Sequence, residues 1–237
     1  MKILTFHLSG ATAFFKRPDV NSVCYFTYGN IHRAALLGLF GAVLGLPGYG
    51  WTRKKNEIVY PVYYEKLKDL QFGIVPNHGI CRKKIQTFNN SVGYASFEQG
   101  GNLIVKEQWL EHPSWDIYVV MDDEMSEKLA SFLLQGKCVY VPYLGKNEHP
   151  ADISDVRVVE GVGVRPVSFI DSLFEKEKAV LAERDGGSFY YEENLPWGLM
   201  PNGMYELREM VQADSELTDY EGLVLQVEDK AIAILQK

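Results

Sequence analysis

The chain has 237 residues, 46% of them apolar and 23% charged, with 24 Lys and Arg against 31 Asp and Glu for a net charge of −7. These are globular values that exclude a disordered tail or a collagen-like fibre, and the length holds one large domain or two small ones. The charge is divided: residues 1–106 carry 13 basic and 5 acidic side chains (+8) and residues 107–237 carry 11 and 26 (−15), which points to a polyanion met through the first half alone, against the alternative of a merely solvated basic surface.

In chain order, residues 1–8 alternate Leu4, Phe6 and Leu8 with Ile3, Thr5 and His7, the period of a strand with two unlike faces. The same start imitates a signal peptide through Lys2 and Ala11-Thr12-Ala13, but His7 and Ser9 interrupt an apolar stretch already too short for one. A helix is predicted over 32–46, apolar on almost every side and stopped by Pro47-Gly48. Gly38, Gly41 and Gly45 each cost it about 1 kcal/mol relative to Ala, a cost that close packing against a sheet would offset. Its apolar run over 34–46 is shorter than the roughly 20 residues that cross a bilayer.

A short strand over 68–75 precedes a Pro-, Gly- and Asn-rich stretch holding Arg82-Lys83-Lys84 in a loop. A hairpin is then expected from 94–98 and 103–106 around Gly100-Gly101. Another strand covers 115–121, and Asp122-Asp123-Glu124 opens a helix striped by Met125, Leu129, Phe132 and Leu133. Gly136 ends that helix before a strand over 138–141.

The order strand, helix, strand, hairpin insertion, strand, helix, strand predicts an α+β fold. It is a ferredoxin-like (RRM-like) βαββαβ domain over 1–150 with an inserted β-hairpin at about 76–110, a topology shared with RNA-recognition domains. Short strands about Arg184-Asp185-Gly186-Gly187 and Glu228-Asp229-Lys230 predict a small β-rich C-terminal domain over 151–237.

Free-nucleotide chemistry finds no support, because Gly136-Lys137 and Gly145-Lys146 lack the rest of a phosphate loop and neither Gly48-x-Gly50 nor Gly161-x-Gly163 has the third Gly of a dinucleotide turn. His7, His32, His78, His112 and His149 are scattered singly, Cys24, Cys81 and Cys138 lie far apart, and no G-x-S-x-G elbow occurs. No metal or cofactor and no disulfide framework is therefore expected, and the odd cysteine count fits a reducing cytoplasm.

The basic clusters Lys16-Arg17, Arg53-Lys54-Lys55 and Arg82-Lys83-Lys84 all fall in the positive half, interleaved with Phe14, Phe15, Tyr49, Trp51, Phe88, Tyr94 and Phe97. Cations for phosphates beside flat rings for bases are what single-stranded nucleic acid requires. The same pattern also arises when aromatics fill a core and cations solvate it.

Four segments carry a resemblance: residues 10–18 (GATAFFKRP), the Gly-spaced helix over 36–45 (LLGLFGAVLG), Glu107-Gln108-Trp109-Leu110 with Pro113 and Ile117-Tyr118, and Pro142-Tyr143-Leu144-Gly145. In order and spacing over 1–150 they resemble the fifth Cas protein family, RNA-binding subunits of type I CRISPR surveillance (Cascade) complexes in the repeat-associated (RAMP) superfamily, most of all its I-B branch. The resemblance implies a palm and a hairpin thumb that grip the 5′ handle of CRISPR RNA, cap the backbone subunits and lie beside the large subunit, meeting target DNA only indirectly, in antiviral defence. Lys16, Arg17, Arg82, Lys83 and Lys84 would then hold handle phosphates, with Arg53, Lys54 and Lys55 as further RNA-binding candidates. One branch of that family cuts repeat RNA without metal through Tyr, Lys and His. Here no Lys-His pair occurs and Lys106-Glu107 stands in its place, a carboxylate that repels the scissile phosphate. Binding without cleavage is expected; Tyr28, His32 and His78 are what a metal-independent endoribonuclease would have to use, and a protein-only adaptor is the third possibility.

Overall fold

The computed structural model describes residues 1–19, 23–49, 60–91, 93, 97, 99, 101–182 and 189–236. The alternation at the start becomes β1 (Lys2–Ser9), which turns Leu4, Phe6 and Leu8 toward the helices and Ile3 toward the opposite face. After the short β2 (Thr12–Ala13), α1 (Arg33–Leu44) is buried along most of its surface. The predicted offset for its glycines differs in partner. Gly41 faces Tyr63 of α2 (Val62–Leu67), where a Cβ would lie 2.7 Å from the Tyr63 Cβ, while Gly45 takes the left-handed cap at φ 72°. Helix–helix contact, rather than helix–sheet contact, is what excludes a side chain at Gly41.

β3 (Phe72–Pro76) follows, then β4 (Lys83–Asn89) and β5 (Ile104–Glu111), which pair antiparallel from Lys83↔Leu110 to Asn89↔Ile104. A hairpin thus exists between 83–89 and 104–111, its second strand taking in most of the expected 103–106, while the strand expected over 94–98 lies, but for Phe97, outside the described residues. Arg82 immediately precedes β4 and Lys83-Lys84 open it, the strand being held by its pairing with β5 and not by an apolar alternation, since Ile85 and Phe88 fall on opposite faces. Among residues 92–100 only 93, 97 and 99 are described.

β6 (Ser114–Val120) leads into α3 (Glu124–Leu134), whose N-cap Asp123 and Ser126 form a reciprocal capping box. The strand expected over 138–141 is absent. The Val139 and Tyr140 N–H groups instead donate to the carbonyls of Val43 and Ala42, each at 3.0 Å, satisfying acceptors at the end of α1. The next strand is β7 (Asp152–Gly163). Beyond it come β8 (Phe174–Glu175), β9 (Ala179–Leu181), β10 (Tyr190–Leu199), β11 (Tyr205–Ala213), β12 (Leu217–Tyr220), β13 (Val224–Val227) and β14 (Lys230–Ala233).

The principal sheet runs β14-β13-β7-β1-β6-β3, and every pairing in it is antiparallel. Strands from both sides of residue 150 share it. Its two edges also meet, since Phe72 and Leu235 exchange backbone hydrogen bonds at 3.4 and 2.9 Å. The curled interior is filled by Ile3, Tyr118, Val120, Leu225, Val227, Ile232 and Ile234, while Phe6, Phe40, Leu129 and Leu133 belong to the larger core under the helices. Mostly strands with few helices, the chain is a mixed α and β protein. Arg33, 2% exposed, ties α1 to the far half by donating to the Trp197 carbonyl at 3.3 Å and to the carbonyls of Lys68 and Leu70.

Candidate nucleic-acid interface

A groove of about 1070 Å³ opens between α1, the base of the hairpin and the 140–150 loop. Its walls include the rings of Tyr25, Tyr63, Tyr140, Tyr143 and Tyr205 with the cations Lys16 and Lys146, and the backbone at Gly38 opens onto it. Each wall has a local cause. Lys16 lies on a small β-bridge with Thr27, where the Tyr28 N–H donates to the Phe15 carbonyl at 2.9 Å. The adjoining Tyr25 adds itself to β5, its N–H donating to the Lys106 carbonyl at 2.9 Å and its carbonyl accepting from Gln108 at 2.8 Å. These bonds set the Lys16 Nζ 3.9 Å from the centre of the Tyr25 ring, a cation–π distance worth about 0.5–1 kcal/mol at exposed sites.

A charged and aromatic network adjoins the groove through Glu107 and Lys146. Glu107, with 6% of its side chain exposed, receives the Lys146 Nζ at 3.0 and 3.1 Å and the Trp109 Nε1–H at 2.9 Å. The Trp109 ring meets His149 edge-on at 4.6 Å, and the His149 Nδ1 lies 2.6 Å from the Thr12 hydroxyl. Burial and the neighbouring Lys146 ammonium hold His149 below its ordinary pKa. Lys146 is placed by Gly145: at φ +94° with a built Cβ only 1.9 Å from the Phe14 carbonyl oxygen, that position admits no side chain.

The groove brings together only some of the residues singled out in the sequence. Lys16 lines it. Arg17 is turned to carboxylates, 2.8 Å from Asp19 and 3.8 Å from Glu193, and the bond to Asp19 raises its pKa. Arg82 and Lys83 are exposed at the start of β4, while Lys84 lies 3.7 Å from Glu111 with its ammonium 5.9 Å from the Trp109 ring. Arg53, Lys54, Lys55, Trp51 and Tyr94 lie outside the described residues. Lys146, Tyr140 and Tyr205 escaped the sequence reading because no cluster marks them; Gly145-Lys146, adjoining the Pro-Tyr-Leu-Gly segment, was the available clue.

His32 and Tyr28 stand together with ring centres 5.3 Å apart. The His32 Nδ1 accepts from the Ala35 N–H as the N-cap of α1, and burial pushes the imidazole down to about 3. Tyr28 is pushed up to about 12 by burial. Neither is a ready proton donor or acceptor near neutral pH. His78 is exposed on the loop after β3 and does not line the groove.

Among the described residues no three His, Cys, Asp or Glu side chains group as a metal ion requires, and no helix is long and apolar enough to cross a membrane. No family model and no curated protein matches the sequence. The fold does match solved structures. A chain of a CRISPR RNA-guided surveillance complex aligns with a TM-score of 0.52 and 14% identity, over 92% of this chain and 91% of that one. A CRISPR protein from Archaeoglobus fulgidus aligns with a TM-score of 0.53 and 12% identity over the whole of both chains. The overall fold is shared with these two proteins.

Proposed function

We propose that the chain is an RNA-binding subunit of a type I CRISPR surveillance complex, of the fifth Cas family and its I-B branch. In this reading it grips the 5′ handle of CRISPR RNA, caps the backbone subunits and cuts no RNA. The fold shared with a chain of an RNA-guided surveillance complex supports it. So does the order β7-β1-β6-β3 with α1 and α3 between strands, which is that of a ferredoxin-like βαββαβ palm, with β4 and β5 as the thumb. The observation that carries the RNA-binding reading is the groove itself, in which Lys16 and Lys146 face a set of tyrosine rings beside the thumb. Bases stack on such rings at about 1–3 kcal/mol each while ammonium groups take the phosphates. An ammonium has three N–H donors, so Lys146 retains one beyond its two contacts with Glu107.

The phosphate ligands in this reading are Lys16, Arg82, Lys83, Lys84 and Lys146. About five contacts at about −0.7 each give a slope of log affinity against log salt near −3.5. Fluorescence anisotropy with a labelled single-stranded RNA octamer tests this. Lys16→Glu combined with Arg82→Glu and Lys83→Glu removes three contacts, and the slope is expected to flatten to about −1.4. A triple variant that binds as tightly as the parent, with the same slope, removes groove and thumb from RNA binding.

A further inference from the structure

On the sheet face turned away from the helices, a second constellation occupies the end of the curled interior. His7 of β1 stands directly opposite Asp116 of β6, and Ser114 lies two residues back on the same face. The His7 Nδ1 is 2.9 Å from the Asp116 Oδ1 and the His7 Nε2 is 3.3 Å from the Ser114 Oγ. Serine on one ring nitrogen and carboxylate on the other is the connectivity of an activated hydroxyl. Asn77, whose backbone N–H donates to the Ser114 carbonyl at 3.1 Å, sends its side-chain amide to the Ser114 Oγ at 3.1 Å and to the Asp116 Oδ1 at 3.2 Å. Lys230, the first residue of β14, lies 2.9 Å from the other Asp116 oxygen. The His7 and Asp116 side chains remain 30% and 24% exposed, so the group is fixed yet reachable.

We infer that Ser114, His7 and Asp116 form an acyl-transfer site, with Ser114 as nucleophile toward small activated esters and Asn77 as donor to the developing oxyanion. The Ser114 Oγ forms a bond to the ester carbonyl carbon as His7 Nε2 takes the hydroxyl proton. Collapse of the tetrahedral adduct breaks the bond to the leaving alkoxide, which receives that proton from His7. Water then attacks the acyl-Ser114, gives its proton to His7, and the proton returns to Ser114 Oγ as the acid leaves. Asp116 touches no reacting atom. It is a positioning residue that holds the Nδ1–H tautomer. Burial pushes its carboxyl up, but bonds from His7, Lys230 and Asn77 outweigh that and keep it below its usual range, hence ionised. The Asn77 side-chain N–H that lies on Oγ is the donor assigned to the oxyanion that forms as Oγ is acylated.

The test uses the full chain and two probes, p-nitrophenyl acetate and an alkyl fluorophosphonate. The phosphonate should modify the wild-type protein at Ser114, located by peptide mass, with no variant needed. Ser114→Ala should lose both the adduct and the ester turnover, and His7→Gln should slow them at least about a hundredfold. Asp116→Asn should slow them at least about tenfold while Asp116→Glu recovers part of the rate, a difference that a purely structural role would not produce. Ser154→Ala, on β7 across from His7, should react like the parent. An adduct found only on Lys230 or another residue, or no adduct at Ser114 in the folded wild type, overturns the assignment; RNA binding by the groove is scored separately and stands or falls without it.

Discussion

At the scale of single residues, the groove depends on how a buried carboxylate is compensated. Glu107 lines the groove with Lys146 as its countercharge, and removing one partner of such a pair costs about 3–5 kcal/mol, whereas replacing both by neutral groups costs far less. Lys146→Met is therefore expected to lower the denaturant midpoint strongly. Lys146→Met with Glu107→Gln should recover most of the loss, as read by urea titration. Gly145→Ala forces a methyl against the Phe14 carbonyl, and thermal melting should show a loss of at least about 1–3 kcal/mol. Arg17→Ala should leave RNA affinity within about twofold in the anisotropy assay, because its guanidinium is already committed to Asp19 and Glu193. These partners explain what the sequence could and could not disclose. Lys16 is legible as a cation near aromatics; that Arg17, its neighbour, faces Glu193 of β10 is a contact across 176 positions that no local pattern encodes.

At the scale of elements, periodicity and capping chemistry were legible where a segment's neighbours are its own residues. β1 follows from alternation, β6 from its run of β-forming residues, α1 from an apolar run stopped by Pro47-Gly48, α3 from a stripe and its acidic start, and the closing hairpin from its turn residues. The failures occur where backbone groups find partners elsewhere: residues 138–141 have strand-like composition, but the Val139 and Tyr140 N–H groups satisfy the end of α1, and β4, in which only Ile85 and Phe88 are apolar and lie on opposite faces, reads as loop. His32 gives this scale a pH prediction. Its neutral imidazole caps α1, and burial lowers its folded pKa to about 3, below the usual unfolded value of about 6.5. The unfolded chain thus binds the extra proton first, so the contribution is complete above about pH 6.5 and declines as pH falls toward 3. The slope approaches about 1.4 kcal/mol per pH unit. His32→Asn keeps a capping side chain and removes the titration. Chemical denaturation across pH 4–7 should show the flatter profile for the variant, with His149 and the lowered carboxyls of Asp116 and Glu192 supplying the slope that remains.

At the scale of the whole molecule, a net charge of −7 would repel RNA if it were evenly spread, but the groove sets Lys16 of the positive half beside Lys146 of the acidic half. Screening acts over about 8 Å at physiological ionic strength, so local sign governs the encounter. Replacing surface acids far from the groove, such as Glu160 and Asp229, with neutral amides should leave the salt slope of RNA binding unchanged. The overall architecture was legible as strands and helices in order. Its continuity was not, because the bonds between Phe72 and Leu235 join positions with nothing in common locally.

That seam sets an order of events during synthesis. Among the strands of the principal sheet β1 emerges before the others, yet that sheet lacks an edge until residues 224–235 have also emerged. Pairings of such long sequence separation form slowly. A nascent chain halted before that point would carry its cationic groove on an unfinished sheet, with Ile3 and Tyr118 bare to water and open to chaperones.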